Sequence, residues 1–166
     1  MTFKRLEPLI IADASPLIGL AKIRRADLLF SLAEEVWIPA AVWKEVVERD
    51  QSRPEVGLIR SSFANAVREV PDGEAAVFRD KVDAGEAAAL ALAARRPNAL
   101  LLIDDHRGRM LAEQHGFRLL GTLGLLLRAK RAGLVPSVKA ETDALLRNGL
   151  YLDASLISRV LNAAGE

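Results

Sequence analysis

Two short apolar runs, each closed by aspartate and each followed by a helix-like pattern, constrain this chain more than any other feature. The first is Leu9-Ile10-Ile11-Ala12 before Asp13. The second is Leu100-Leu101-Leu102-Ile103 before Asp104 and Asp105. Short apolar runs alternate with longer helical patterns along the rest of the sequence, which predicts an α/β fold around a parallel sheet. In such a sheet the carboxyl ends of the strands line the ligand crevice. Carboxylates gathered there repel one another and lose hydration, so they call for a compensating cation. Two strand ends nearly a hundred residues apart in sequence thereby point to one acidic, metal-binding site.

The punctuation of the chain predicts the elements. Strands are expected at about Pro8–Ala12, Glu35–Ile38, Ala66–Val70, Ala99–Ile103 and Phe117–Leu120. Ser15 and Pro16 form a good N-cap and N1 pair for a helix through Ala21. Further helices are expected at Arg25–Leu32, Ala40–Glu48, Val56–Asn65 and Glu74–Val82, and in the Ala-rich run after Gly85 to Arg95. Arg107–His115 should end at Gly116, and Thr122–Ala132 at Gly133 and Pro136. The two amphipathic stretches Ser137–Leu146 and Asp153–Leu161 read as C-terminal helices packed on the same domain. The expected organisation is therefore a domain over 1–135 with a helical extension over 136–166.

Composition removes several function classes. The chain has 166 residues, no cysteine and a net charge of +1. Thiolate zinc sites, disulfides and cysteine nucleophiles are excluded, and a reducing cytoplasm is the expected setting. No apolar run approaches the roughly 20 residues of a membrane helix. Lys4 and Arg5 precede an apolar stretch, but Glu7, Pro8 and Asp13 interrupt it, so it does not read as a signal peptide. No G-x-x-x-x-G-K-[ST] or G-x-G-x-x-G pattern follows a strand. A phosphoryl-receiver reading needs an acidic pair at the first strand and an aspartate at the third, and neither is present. Ser15 has no histidine and aspartate arranged with it as a nucleophile triad. From His106 to Arg131 there are six Lys or Arg residues and one acid, Glu113. Arg107 and Arg109 are the expected substrate contacts, because arginine suits bidentate phosphate binding. Ser15 is expected to join them as a substrate contact and to hydrogen-bond Asp13.

Two further carboxylates stand at apolar positions. Glu45 lies in Val42-Trp43-Lys44-Glu45-Val46-Val47, and Glu86 in Gly85-Glu86-Ala87-Ala88. An unpaired carboxylate near a core costs several kcal/mol. Glu86 has a competing explanation, since an acid in the first turn of a helix is favoured by the helix dipole. Glu45 could equally pair with a surface base. Together with Asp13, Asp104 and Asp105 they form an all-oxygen set that suits Mg²⁺ or Mn²⁺. Such an ion can activate water against a phosphodiester.

The order Asp13-Ala14-Ser15-Pro16-Leu17-Ile18, Glu45, Gly85-Glu86-Ala87 and Ile103-Asp104-Asp105 resembles a PIN domain. Gly116-Phe117, Gly121-Thr122-Leu123-Gly124-Leu125-Leu126 and Ala129-Lys130-Arg131-Ala132-Gly133-Leu134 are similar to one prokaryotic branch of that family. The resemblance spans about Pro8–Val135. It implies a three-layer α/β/α, Rossmann-like fold with a central parallel sheet of about five strands. It implies an RNA endonuclease dependent on Mg²⁺ or Mn²⁺, with Asp13, Glu45, Glu86 and Asp104 as the catalytic, metal-binding acids. Asp105 is a further metal ligand, because Ile103 stands where related toxins carry Thr or Ser and either aspartate can serve. The implied partners are an RNA substrate, an antitoxin protein and a second copy of the chain. The second reading is an inactive PIN-fold module that holds RNA or protein.

Overall fold

The computed structural model describes residues 5–166; Lys4 and the other residues of 1–4 lie outside it. Five strands form one sheet in the order β3-β2-β1-β4-β5, and every pairing is parallel. The strands are β1 (Glu7–Ala12), β2 (Ala33–Pro39), β3 (Val67–Arg68), β4 (Leu100–Leu102) and β5 (Arg118–Leu120). β1 is central because its residues are buried almost throughout, as a strand covered on both faces requires. β3 is shorter than its apolar run predicts. It is an edge strand that pairs only with Ile38 and Pro39.

The two-residue strand period sorts the core into two layers. Ile10, Ala12, Leu100 and Leu102 face one layer. There they pack with α1 (Ala14–Lys22), α2 (Asp27–Leu32), α4 (Pro54–Phe63) and α8 (Thr122–Arg131). Leu9, Ile11, Leu101 and Ile103 face the other layer. It is built by α5 (Asp72–Ala76), α6 (Ala84–Arg95) and α7 (His106–Gln114). The result is the three-layer α/β/α arrangement. α6 is buried from Gly85 to Ala93, which explains its Ala-rich sequence: small side chains let it lie flush on the sheet. The last helices, α9 (Val138–Arg147) and α10 (Ala154–Ala164), pack on α8. Val138, Leu145 and Val160 join the first layer.

Three local expectations are corrected. α1 starts at Ala14, so the N-cap position belongs to Asp13 and Ser15 lies inside the first turn. The expected helix Glu74–Val82 exists only as α5, which ends at Ala76. The chain then runs through turns to Asp83 because Phe78 is drawn into the core beside His115, leaving Val77 outside. Ala40–Glu48 is not one regular helix. α3 (Ala40–Trp43) passes into a wide π turn over Lys44–Glu48, where Arg49 N donates to Lys44 O at 2.9 Å.

Candidate active site

The strand period that sorts the core also sorts the aspartates. Asp13 continues the Leu9–Ile11 parity beyond β1 and turns toward α6. Its backbone is extended (φ −79°, ψ 170°), and its carboxylate does not cap α1. The residue is 4% exposed. Burial pushes the Asp13 carboxyl up to about 8. The Ala14 backbone N–H opposes this, and the Glu86, Asp83 and Glu45 carboxylates add to it.

Asp83 and Glu86 are locked by a reciprocal capping box at the start of α6. Glu86 N donates to Asp83 Oδ1 at 2.8 Å, and Asp83 N donates to Glu86 Oε2 at 3.1 Å. Glu86 is thus both a first-turn acid and part of the acidic group. Burial raises its carboxyl to about 7 against the pull of the Asp83 N–H, and the Asp83 and Asp105 carboxylates push further in the same direction. Glu45 lies in the π turn, a helix irregularity that recurs at functional sites. Its carboxyl is raised by burial and then by Asp83, with Arg49 and Arg53 opposing. A methyl group on Gly85 would stand 3.2 Å from Glu45 Oε2 and 3.5 Å from Asp83 Oδ1. Glycine there leaves these two carboxylates room to approach one another.

The Asp104–Asp105 pair is divided by the same alternation. Asp105 keeps the parity of Leu101 and Ile103, caps α7 by accepting from Gly108 N at 3.0 Å, and faces Glu86. Asp104 keeps the parity of Leu100 and Leu102 and points to the α8 layer. Its Oδ1 accepts from Thr122 N at 2.8 Å and its Oδ2 from Thr122 Oγ1 at 2.5 Å. Of the two aspartates that the sequence left as candidates, Asp104 thus lies on the α8 side with both oxygens hydrogen-bonded to Thr122, and Asp105 lies beside Glu86.

The sequence-expected acids Asp13, Glu45, Glu86 and Asp105 are thus assembled, and Asp83 joins them. The D-x-x-E spacing of Asp83 and Glu86 is a capping-box signature that could have revealed it. Among the described residues none of these five makes an ion pair. The group fits a divalent cation in donor chemistry: five hard carboxylates, three of them raised, first by burial and then by one another's charge. Among the described residues no three acidic or imidazole side chains enclose a common ion position as they stand.

Three of the acids, Asp83, Glu86 and Asp105, open into a cleft of about 490 Å³ that Arg79, Asp80, Lys81, Val82 and Arg107 also line. Arg107, one of the two expected substrate contacts, is among its lining residues. Arg109 is not: its Nη1 donates to Ile103 O at 3.0 Å, under the strand end. Ser15 is exposed and has no hydrogen bond to Asp13 among the described residues.

A family model described as a PIN domain matches residues 9–166. No curated protein matches the chain.

Proposed function

The chain belongs to the PIN domain family, whose members are generally nucleases, and on that premise we propose that it is an RNA endonuclease dependent on Mg²⁺ or Mn²⁺. One observation carries the proposal. Asp13 is buried at the carboxyl end of the central strand, among Glu86, Asp83 and Glu45, with no cationic partner among the described residues. Folding has assembled a negative group that is unfavourable by itself, which is the pattern of a site arranged for a cation rather than for stability.

Asp13, Glu45, Asp83, Glu86 and Asp105 are the residues that would hold the ion. When bound, it supplies Lewis-acid charge neutralisation at the phosphodiester and lowers the pKa of the attacking water. The carboxylates give up their protons to bind it, so the site loads more readily as pH rises. Glu86, which lines the cleft, is the carboxylate we assign to accept the proton of the attacking water. Arg107 holds the phosphodiester beside it.

The test is Mn²⁺-dependent cleavage of a set of structured and unstructured RNAs. Asp13→Asn should retain its circular dichroism spectrum and lose cleavage at least a hundredfold. Undiminished cleavage by the folded variant would defeat the proposal. The rival reading, an inactive RNA- or protein-holding module, draws on the side-chain arrangement, which encloses no ion position as it stands. A second copy of the chain and an antitoxin protein belong to the proposal as partners; light scattering after size exclusion tests the first, and co-expression with a neighbouring small gene the second. Among the described residues no helix is long and apolar enough to cross a membrane.

A further inference from the structure

The chain beyond β4 is fastened at every step. Gly121 stands at the N-cap of α8 and has no side chain to cap it. Asp104 caps the helix from a distant part of the sequence, through Thr122 N and the Thr122 hydroxyl. Thr122 is fully buried, so its hydroxyl has Asp104 as its partner and no access to water. Ile103 is held through both of its backbone groups. Its N–H donates to Leu120 O at 3.0 Å, and its carbonyl accepts from Arg109 Nη1 at 3.0 Å. Arg109 is half-buried and forms no ion pair among the described residues. Asp105 in turn caps α7 through Gly108 N.

Consecutive residues in extended backbone point to opposite faces, so a twist of the chain at Asp104 would exchange the two aspartates. Thr122 resists that twist by holding the Asp104 carboxylate on the α8 side. Arg109 resists it by holding the carbonyl just before Asp104. Gly121 leaves both of them room: a methyl there would stand 2.9 Å from Asp104 Oδ1 and 3.2 Å from Arg109 Nη1. The structure assigns Thr122 and Arg109 as positioning residues that keep Asp104 on the α8 side and thereby aim Asp105 at Glu86 and the other acids. The inference rests on the metal-binding reading of those acids. It goes beyond that reading by naming two residues outside the acidic group on which the group's geometry depends. Neighbours that orient a metal ligand typically change metal affinity by about 10- to 100-fold when they are removed. A role confined to starting α8 would change stability and leave metal affinity alone.

Calorimetric titration of the full chain with Mn²⁺ tests this, with folding checked by circular dichroism and stability by urea unfolding. Thr122→Val keeps the side-chain shape and removes the hydroxyl; Arg109→Met keeps the length and removes the guanidinium. Each should weaken Mn²⁺ binding about tenfold or more. Thr122→Ser, which retains the hydroxyl, should stay within twofold of wild type. Gly121→Ala deletes no hydrogen bond and should weaken binding several-fold, so it carries the test if either of the first two variants fails to fold. Ser137→Ala, which removes the cap of α9, should lower stability and leave Mn²⁺ affinity unchanged. Undiminished affinity in the folded Thr122→Val, Arg109→Met and Gly121→Ala proteins overturns the positioning role. So does a loss in Thr122→Ser as large as that in Thr122→Val, or an equal loss in Ser137→Ala, which would make affinity a mere reflection of stability. A wild type that binds no Mn²⁺ overturns the metal-binding reading and the positioning role together.

Discussion

Replacing Asp13 by asparagine should make the metal-free protein more stable at neutral pH, by an amount that depends on pH. The Asp13 carboxyl is raised from an ordinary 3.8 to about 8, so the folded state holds a proton that the unfolded chain releases. For a group raised on folding, the stabilising contribution is fully present below the unfolded value and is lost as pH climbs through the folded one. The window is therefore about pH 4 to pH 8. Each pH unit inside it costs about 1.4 kcal/mol, so by pH 7 wild type has lost about 4 kcal/mol relative to acid conditions. Asparagine has the same shape and no proton to lose. Urea unfolding of both proteins in EDTA at pH 4.5 and pH 7 measures the effect. The stability difference between variant and wild type should move toward the variant by several kcal/mol between the two pH values. A pH-independent difference, or one that moves toward wild type, would refute the claim that Asp13 is held uncompensated.

Three other changes separate the parts of the site. Asp105→Asn should weaken Mn²⁺ binding at least tenfold. Asp104→Asn should leave it within twofold but cost about 2 kcal/mol in urea unfolding, because Thr122 loses a charged hydrogen-bond acceptor. Gly85→Ala should lower Mn²⁺ affinity several-fold in a folded protein, since its methyl would press on Glu45 and Val42; calorimetry reads this directly. The Glu166 carboxylate is held well down, to about 2, first by Lys130 and then by the Lys139 and Val138 N–H groups and Ser137. That contact is present above about pH 4.5 and is lost as pH falls toward 2, so Glu166→Gln should speed amide exchange in α10 at neutral pH and leave α6 unchanged.

The sheet was legible because its buried strands are short apolar runs that end at recognisable residues, as at Ala12–Asp13 and Ile103–Asp104. Helix caps were less legible: Asp83 and Asp105 cap α6 and α7 locally, yet their acidity draws attention to the site rather than to the helix start. What sequence spacing could not resolve was direction. Asp104 and Asp105 are chemically alike, and only the face each one takes beyond β4 separates a helix-start contact from the acidic group. Asp13 looks replaceable as an N-cap by Ser15, yet the strand continues through it and leaves its carboxylate aimed at α6. The π turn that carries Glu45 has no sequence signature in Lys44–Glu48. Arg79 and Lys81 were hidden by an expected helix that stops early so that Phe78 can be buried.

Calorimetric titration with Mn²⁺ at pH 6 and pH 8, on wild type and Asp13→Asn, tests the central claim most directly. Binding requires Asp13, at about 8, and Glu86, at about 7, to lose their protons. The account predicts that wild type binds Mn²⁺ more tightly at pH 8 than at pH 6 and that the folded variant loses the binding. Equal binding by both proteins, or no binding by wild type at pH 8, would contradict it.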